Sequence, residues 1–376
     1  MQRESIAVRP DWRERCEEVG FHYHTIDGTY WDESACYRFT ADEIDELESS
    51  TTELHRLSLE ACDAAIDRGR LTEFAIPAAF HGLVKDSWRA REPTLFGRFD
   101  LAWSGSGAPK MLEYNADTPT ALLEASVVQW HWMESVKPGS DQFNSIHEKL
   151  IEQWSAFRAP IAPDQPISFV CAKDSLEDLG NIEYLRDTAM QAGFGTEQLF
   201  IEDLGWNHAT KRFVNERDQA VAALFKLYPW EWLVHEEFGQ HLLGRPCLMI
   251  EPAWKMLLSN KALLALLWEL FPDHRNLLPA YRDPARLTGD YVRKPILSRE
   301  GANIALRRAG GAIVTEGVYG AEGYVYQAYS PLFSAAGHYA VIGSWVIGAA
   351  AAGIGIREDA TPITQNTSRF VPHYFV

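Results

Sequence analysis

The sequence predicts an α+β fold, with α/β lobes following a helical N-terminal region. Three observations carry that expectation. The first ninety residues place apolar side chains at helical spacing, the segment from about 165 to 255 alternates strand, helix and strand, and the chain from Tyr291 onward is β-rich and punctuated by glycine. With 376 residues, 46% of them hydrophobic, the chain can bury a full core. Approximate sub-lobes are expected at 1–164, 165–255 and 256–376.

In order, Ala41 to Asp67 reads as a long helix through Ile44, Leu47, Leu54 and Leu57. A strand pair follows, Leu95 to Trp103 and Lys110 to Asn115, joined by the hairpin residues Ser104-Gly105-Ser106-Gly107. Thr118-Pro119-Thr120 announces a helix over Ala121 to Val136, with either threonine as cap and Pro119 in the first turn. The α/β segment supplies a buried strand at Ile167 to Cys171, a helix at Ile182 to Ala192 and extended chain at Thr196 to Ile201. A helix over Asn260 to Phe271 is expected to be capped at Ser259 and stopped by Pro272. Strands are then expected at Tyr291 to Leu297, Ile313 to Glu316, Tyr324 to Tyr329, Tyr339 to Ile347 and Gly353 to Arg357. The last two lie in an uncharged run, Tyr339 to Ile356, of about the minimum length for a membrane helix. Its glycines at 343, 348, 353 and 355 favour buried strands with a tight connection instead.

Charge and composition exclude several functions. Lysine plus arginine number 35 against 52 acids, a net charge of −17, which opposes the phosphate neutralisation on which nucleic-acid binding depends. The five cysteines are scattered without a C-x-x-C, so reduced, buried thiols are expected rather than a disulfide framework. The N-terminal residues show no apolar signal-like run, which points to the cytoplasm.

Chemistry concentrates in Arg98-Phe99-Asp100 and Glu113-Tyr114-Asn115-Ala116-Asp117-Thr118. Glu113 and Asn115 leave the same face of a strand, and Asp100 approaches them if the two strands pair. Two carboxylates and an amide oxygen form the hard oxygen set that Mg2+ prefers, although a solvated hairpin face is the plainer reading. A helix start lined by Thr118 and Thr120 would attract a carboxylate, unless the two are ordinary caps. Lys261 in a helix first turn, Lys294 inside a β-run, and Arg299 beside the Gly301 loop suggest phosphate handling, with structural ion pairs as the alternative. His22-Tyr23-His24 would place two imidazoles on one side of a strand but lacks a third zinc ligand. No G-x-S-x-G occurs and no protein nucleophile is evident, which agrees with activation by ATP.

Together these segments resemble the synthetase domain of the glutathionylspermidine synthase family, and most closely its stand-alone, amidase-free bacterial relatives. The resemblance runs through Arg9-Pro-Asp-Trp-Arg13, the two segments above, Glu251-Pro-Ala-Trp254 and Ser259-Asn-Lys261. It continues through Val292-Arg-Lys294-Pro, Arg299-Glu-Gly301-Ala-Asn303, Tyr326-Gln327, Gly343-Ser-Trp345 and Gly355-Ile-Arg357-Glu-Asp359. It implies an ATP-grasp-like fold that joins a carboxylate to an amine through an acyl phosphate. Under it, Asp100, Glu113 and Asn115 hold Mg2+, Lys261 and Lys294 hold the ATP phosphates, and the backbone near Gln327 meets the adenine. Arg98 steadies the acyl phosphate, and Arg299 and Arg357 contact substrate or phosphate. Thr118 and Thr120 receive a peptide carboxylate, and Glu177-Asp178 receive the amine. The implied partners are small-molecule or peptide carboxylates and amines, with neither nucleic acid nor membrane. Two departures, Lys226 in Lys-Leu-Tyr-Pro-Trp230 and Arg369 in the tail, raise the alternative of a non-catalytic ATP- or peptide-binding relative.

Overall fold

The computed structural model describes every residue except Asp27. Its largest sheet has six strands. The hairpin Phe96–Ala102 and Lys110–Asn115 joins edge-on to His338–Ile347, then Ala350–Asp359, then Arg369–Val371, with Phe333–Ala335 also pairing to His338–Ile347. The uncharged run is therefore a β-hairpin, and its residues 340–347 and 351–356 are buried. Among the described residues no helix is long and apolar enough to cross a membrane.

The long helix Ala41–Asp67 starts at Thr40 through a capping box, in which Glu43 N donates to the threonine hydroxyl and Thr40 N donates to the Glu43 carboxylate. Its apolar face packs on the large sheet, where the hydroxyls of Thr51 and Ser344 meet at 2.6 Å. A parallel sheet runs in the order Leu248–Ile250, Ala223–Lys226, Ile167–Cys171 and Thr196–Phe200. An antiparallel sheet runs Ala280–Tyr281, Tyr324–Ala328, Tyr291–Pro295, Ala305–Arg308 and Gly311–Val314. Gln2–Ser5, Ala35–Phe39 and His373–Phe375 form a small sheet that ties the two chain ends together.

Several elements differ from expectation. The helix expected at Ile182 to Ala192 spans Leu176–Gln191, with Ser175 Oγ accepting from Asp178 N. Gly180 does not break it. A Cβ there would lie 2.4 Å from the Tyr23 ring, so this glycine serves a close approach. The helix expected over Ala121 to Val136 begins at residue 122, after Ala121 at φ 64°, and passes through a π-helical turn, Glu124–Val128, before the α-helix Gln129–Val136. Neither threonine caps it; Asn181 Oδ1 from the neighbouring helix accepts from Leu122 N instead. The helix near 260 spans Ala262–Leu270, where Asn260 Oδ1 accepts from Ala262 N and Ser259 is directed elsewhere. The strand expected at Ile313 to Glu316 is Gly311–Val314. His22 to His24 lie in a turn; the His24 ring meets Trp12 edge-on and its Nε2 lies 3.3 Å from Glu17. All five cysteines are free and buried, as expected.

Candidate active site

The hairpin sets the geometry of the site. Asp100 and Glu113 are direct cross-strand partners, as are Arg98 and Asn115. The four side chains therefore share one end of the sheet, because strand partners project to the same face. A cavity of ≈ 340 Å³ opens there, between the hairpin, the five-stranded sheet and the C-terminal ends of the parallel strands. The residues expected to meet metal, nucleotide or substrate all line it: Arg98, Asp100, Glu113, Asn115, Thr118, Thr120, Glu177, Asp178, Lys261, Lys294, Arg299, Gly301, Gln327 and Arg357, whereas His22 and His24 do not.

At one end the cavity is an ionic lattice. Arg98 donates from Nε to Asp100 at 2.8 Å and from Nη1 to the Thr120 carbonyl at 2.8 Å. Lys261 sits 2.9 Å from Glu113 and donates to the Ser298 carbonyl at 2.6 Å. Burial pushes the Glu113 carboxyl up, but Lys261, Lys294 and Arg98 outweigh it and hold the group at about 2. Lys294 is buried in Tyr291–Pro295, and its ammonium donates only to neutral oxygens, the Leu112 carbonyl at 2.7 Å and Gln327 Oε1 at 2.8 Å. Burial lowers it to about 8 despite the pull of Glu113. Gln327 is itself fixed by donating to the Met111 carbonyl at 2.9 Å. Gly301 is at φ +69°, and a Cβ there would lie 2.2 Å from the Thr364 carbonyl, so only glycine fits this wall.

The loop after the hairpin is held by buried polar contacts. Ser259 Oγ accepts from Ala116 N and Asp117 N at 2.8 and 2.7 Å, so this serine orders the loop rather than the helix. The fully buried Asp117 carboxylate accepts from Lys226 Nζ and from Trp230 N. Arg299 donates to Thr118 Oγ1 at 2.8 Å and reaches Glu231 at 3.4 Å, which places it between two halves of the cavity. Glu177 and Asp178 occupy the first turn of Leu176–Gln191, and burial, then Glu177, pushes Asp178 up to about 6. Arg357 donates to the carbonyls of Gln365, Asn366 and Ser368 at 3.0 Å each.

Of the two departures from the family pattern, the Lys226 to Trp230 run lines the cavity through Leu227, Tyr228 and Pro229, whereas Lys226 and Arg369 themselves do not. Lys226 is neutralised by Asp117, and its ammonium is 5.1 Å from the Trp230 ring centroid. Arg369, expected to repel an amine, pairs with Asp32 at 2.6 Å and Glu358 at 2.9 Å instead. Conversely, Glu231 and Trp232 line the cavity without having been anticipated, beside Tyr228 of the departing run. The aromatic run around a single acid in Tyr228-Pro-Trp-Glu-Trp232 is the signal that would have found them.

The donor set fits a divalent cation with a polyphosphate. Two carboxylates and an amide oxygen lie on adjoining strands, and the buried Lys294 ammonium lacks an anionic hydrogen-bond partner. Among the described residues no cluster of three or more His, Cys, Asp or Glu could hold a metal by itself, so water and substrate oxygens would complete the shell.

The family model described as glutathionylspermidine synthase preATP-grasp matches residues 3–376. A candidate acid–amine ligase of Haemophilus influenzae is 45% identical, over 99% of this chain and 98% of its own. Trypanothione synthetase of Crithidia fasciculata is 29% identical over 95% of this chain, and the bifunctional glutathionylspermidine synthetase/amidase of Escherichia coli is 28% identical over 94%. The chain spans 57% and 59% of those two proteins. A glutathione synthetase-like effector from Globodera pallida shares the fold, with a TM-score of 0.60 at 12% identity over 97% of this chain and 96% of its own. With the family model matching almost end to end, the chain belongs to the glutathionylspermidine synthase preATP-grasp family.

Proposed function

We propose that the protein is an ATP-dependent acid–amine ligase, and that a peptide such as glutathione and a polyamine such as spermidine are its substrate classes. The observation that carries this reading is the convergence of acids, cations and hydroxyl groups on one cavity within this family's fold. Lys261 and Lys294 hold phosphate oxygens. Asp100, Glu113 and Asn115 would hold Mg2+, whose chemistry there is to neutralise phosphate charge that otherwise repels an incoming carboxylate. Gln327 and its neighbours border the nucleotide. The substrate carboxylate lies against Thr118, Thr120 and Arg299, with Arg357 beside it.

A carboxylate oxygen attacks the γ-phosphorus, the bond to the β-phosphate oxygen breaks, and ADP leaves. Arg98, anchored on Asp100 and the Thr120 carbonyl, faces the resulting acyl phosphate and the tetrahedral species that follows. The amine nitrogen attacks the acyl carbon, loses its proton, and phosphate departs. Glu177 and Asp178 receive the ammonium form; Asp178 at about 6 is mostly ionised at neutral pH. The protein contributes position and fixed charge rather than a nucleophile. Arg369 pairs with Asp32 and Glu358, and Lys226 with Asp117, so neither cation opposes an amine in the cavity, while the departing run still contributes Leu227, Tyr228 and Pro229 to its wall.

The test is ADP formation by purified protein with Mg2+, ATP, a panel of peptides including glutathione, and a panel of amines including spermidine. The reading requires a rate that depends on both an acid and an amine. Tight nucleotide binding with no ADP from any pair rejects it.

A further inference from the structure

The acids proposed for the metal are already paired in the nucleotide-free protein. Glu113 meets Lys261 at 2.9 Å, and Asp100 meets Arg98 at 2.8 Å. Lys294 adds a third cation to the same wall, so three cations face two carboxylates and the cluster carries a net positive charge. None of these groups is more than 30% exposed, so water screens them weakly. The remaining contacts of Lys261 and Lys294 are carbonyl and amide oxygens, and those of Arg98 are Asp100 and a carbonyl, so among the described residues no further anion offsets the cluster within hydrogen-bond distance.

We infer that Lys261 and Arg98 are counterions that mask Glu113 and Asp100 until a polyphosphate arrives, so that the divalent cation binds only with or after the nucleotide. The inference rests on the ligase reading and deepens it. A bare divalent ion approaching this wall must displace an ammonium and a guanidinium while gaining two carboxylates. A nucleoside triphosphate approaching first meets surplus positive charge. Once its oxygens draw Lys261 away, Glu113 is released to the metal, and the cations exchange carboxylate partners for phosphate partners. The two acids are cross-strand partners held beside a register shift between Asp100 and Leu101, so their backbone positions are set by the hairpin. The exchange therefore needs only movement of the long side chains, chiefly the Lys261 stem.

The probe is Mn2+, read by the electron paramagnetic resonance signal of the free ion, with a non-hydrolysable ATP analogue present or absent. For the wild-type chain we expect Mn2+ alone to bind at least about tenfold more weakly than with saturating analogue, since one misplaced unit charge beside a divalent ion has an effect of that order. Lys261→Met should reverse the pattern, tightening Mn2+ alone by about tenfold while weakening the analogue. Lys261→Arg, which keeps the charge, should leave Mn2+ alone weak. Thermal melts of both variants establish that each is folded. If the methionine variant fails to fold, Lys261→Gln, which also removes the charge, takes its place, because the analogue chelates Mn2+ itself and the wild-type comparison alone cannot support the inference.

Equal Mn2+ affinity with and without analogue, while the analogue itself binds, overturns the inference and leaves the ligase reading standing. Unchanged or weaker Mn2+ binding by folded Lys261→Met also overturns it. Failure of the wild-type chain to bind the analogue under any condition overturns the ligase reading and this inference with it.

Discussion

Lys294 shows how one residue links burial to function. A buried ammonium at about 8, with only neutral acceptors, is an energetic defect that a bound phosphate would correct. Its folded value is below its usual one, so this group destabilises the free protein at neutral pH, and stability should rise as pH increases from about 8 toward 10.5. Nucleotide should raise its value again. Binding at pH 8.5 should therefore take up a proton, which calorimetry in buffers of different ionisation enthalpy will detect; Lys294→Met should abolish that uptake. Glu124 is the opposite case. It is buried in the π-helical turn, accepts from Tyr30 at 2.6 Å, and is pushed up to about 7 by burial and then by Glu177. Its folded value lies above its unfolded one, so stability attributable to it is present at low pH and is lost as pH rises from about 4.5 through 7. Glu124→Gln should flatten that slope in denaturant titrations and add about 3 kcal/mol at pH 8. The sequence already marks Lys294 as a lysine in an apolar β-run in need of an anion, but not that its contacts are neutral, and Glu124 reads there as one acid in a helix.

At the scale of elements, the hairpin and the cavity loops carry the site. The hairpin was readable because its apolar alternation and glycine-serine turn are local signals, but its register was not, because a shift between Asp100 and Leu101 is what brings Asp100 opposite Glu113. The start of Leu176–Gln191 was not, because Gly180 resembles a breaker until Tyr23 occupies the space beside it. The same holds at Thr118 and Thr120, whose capping chemistry is taken over by Asn181 from a distant part of the chain. The strand Ala223–Lys226 was missed because its last residue is a lysine, neutralised only by Asp117 more than a hundred residues earlier. That pair should be a severe point of failure. Lys226→Met leaves a fully buried carboxylate unpaired and should cost roughly 3–5 kcal/mol in chemical denaturation, whereas adding Asp117→Asn should recover part of the loss. In the Gly301 wall, Gly301→Ala sets a methyl group against the Thr364 carbonyl in a left-handed backbone position. It should weaken nucleotide binding about tenfold or more in titrations with a non-hydrolysable ATP analogue, because the backbone must shift to admit the methyl group.

At the scale of the molecule, the cavity draws its walls from segments spread from residue 98 to residue 366, and no spacing rule in the sequence brings these together. Their names came from resemblance to a family, and their grouping comes from three sheets meeting at one place. The aromatic run flags Glu231 and Trp232 in the sequence, but their role is set by a long-range contact that it does not reveal: Arg299 links Glu231 to Thr118 across the cavity. The central claim is that a substrate carboxylate captures the terminal phosphoryl group of ATP there. The most direct measurement uses the carboxylate substrate labelled with 18O in its carboxyl group, and follows the label into inorganic phosphate during turnover. The account predicts one 18O atom transferred per amide formed; unlabelled phosphate released alongside amide would contradict it.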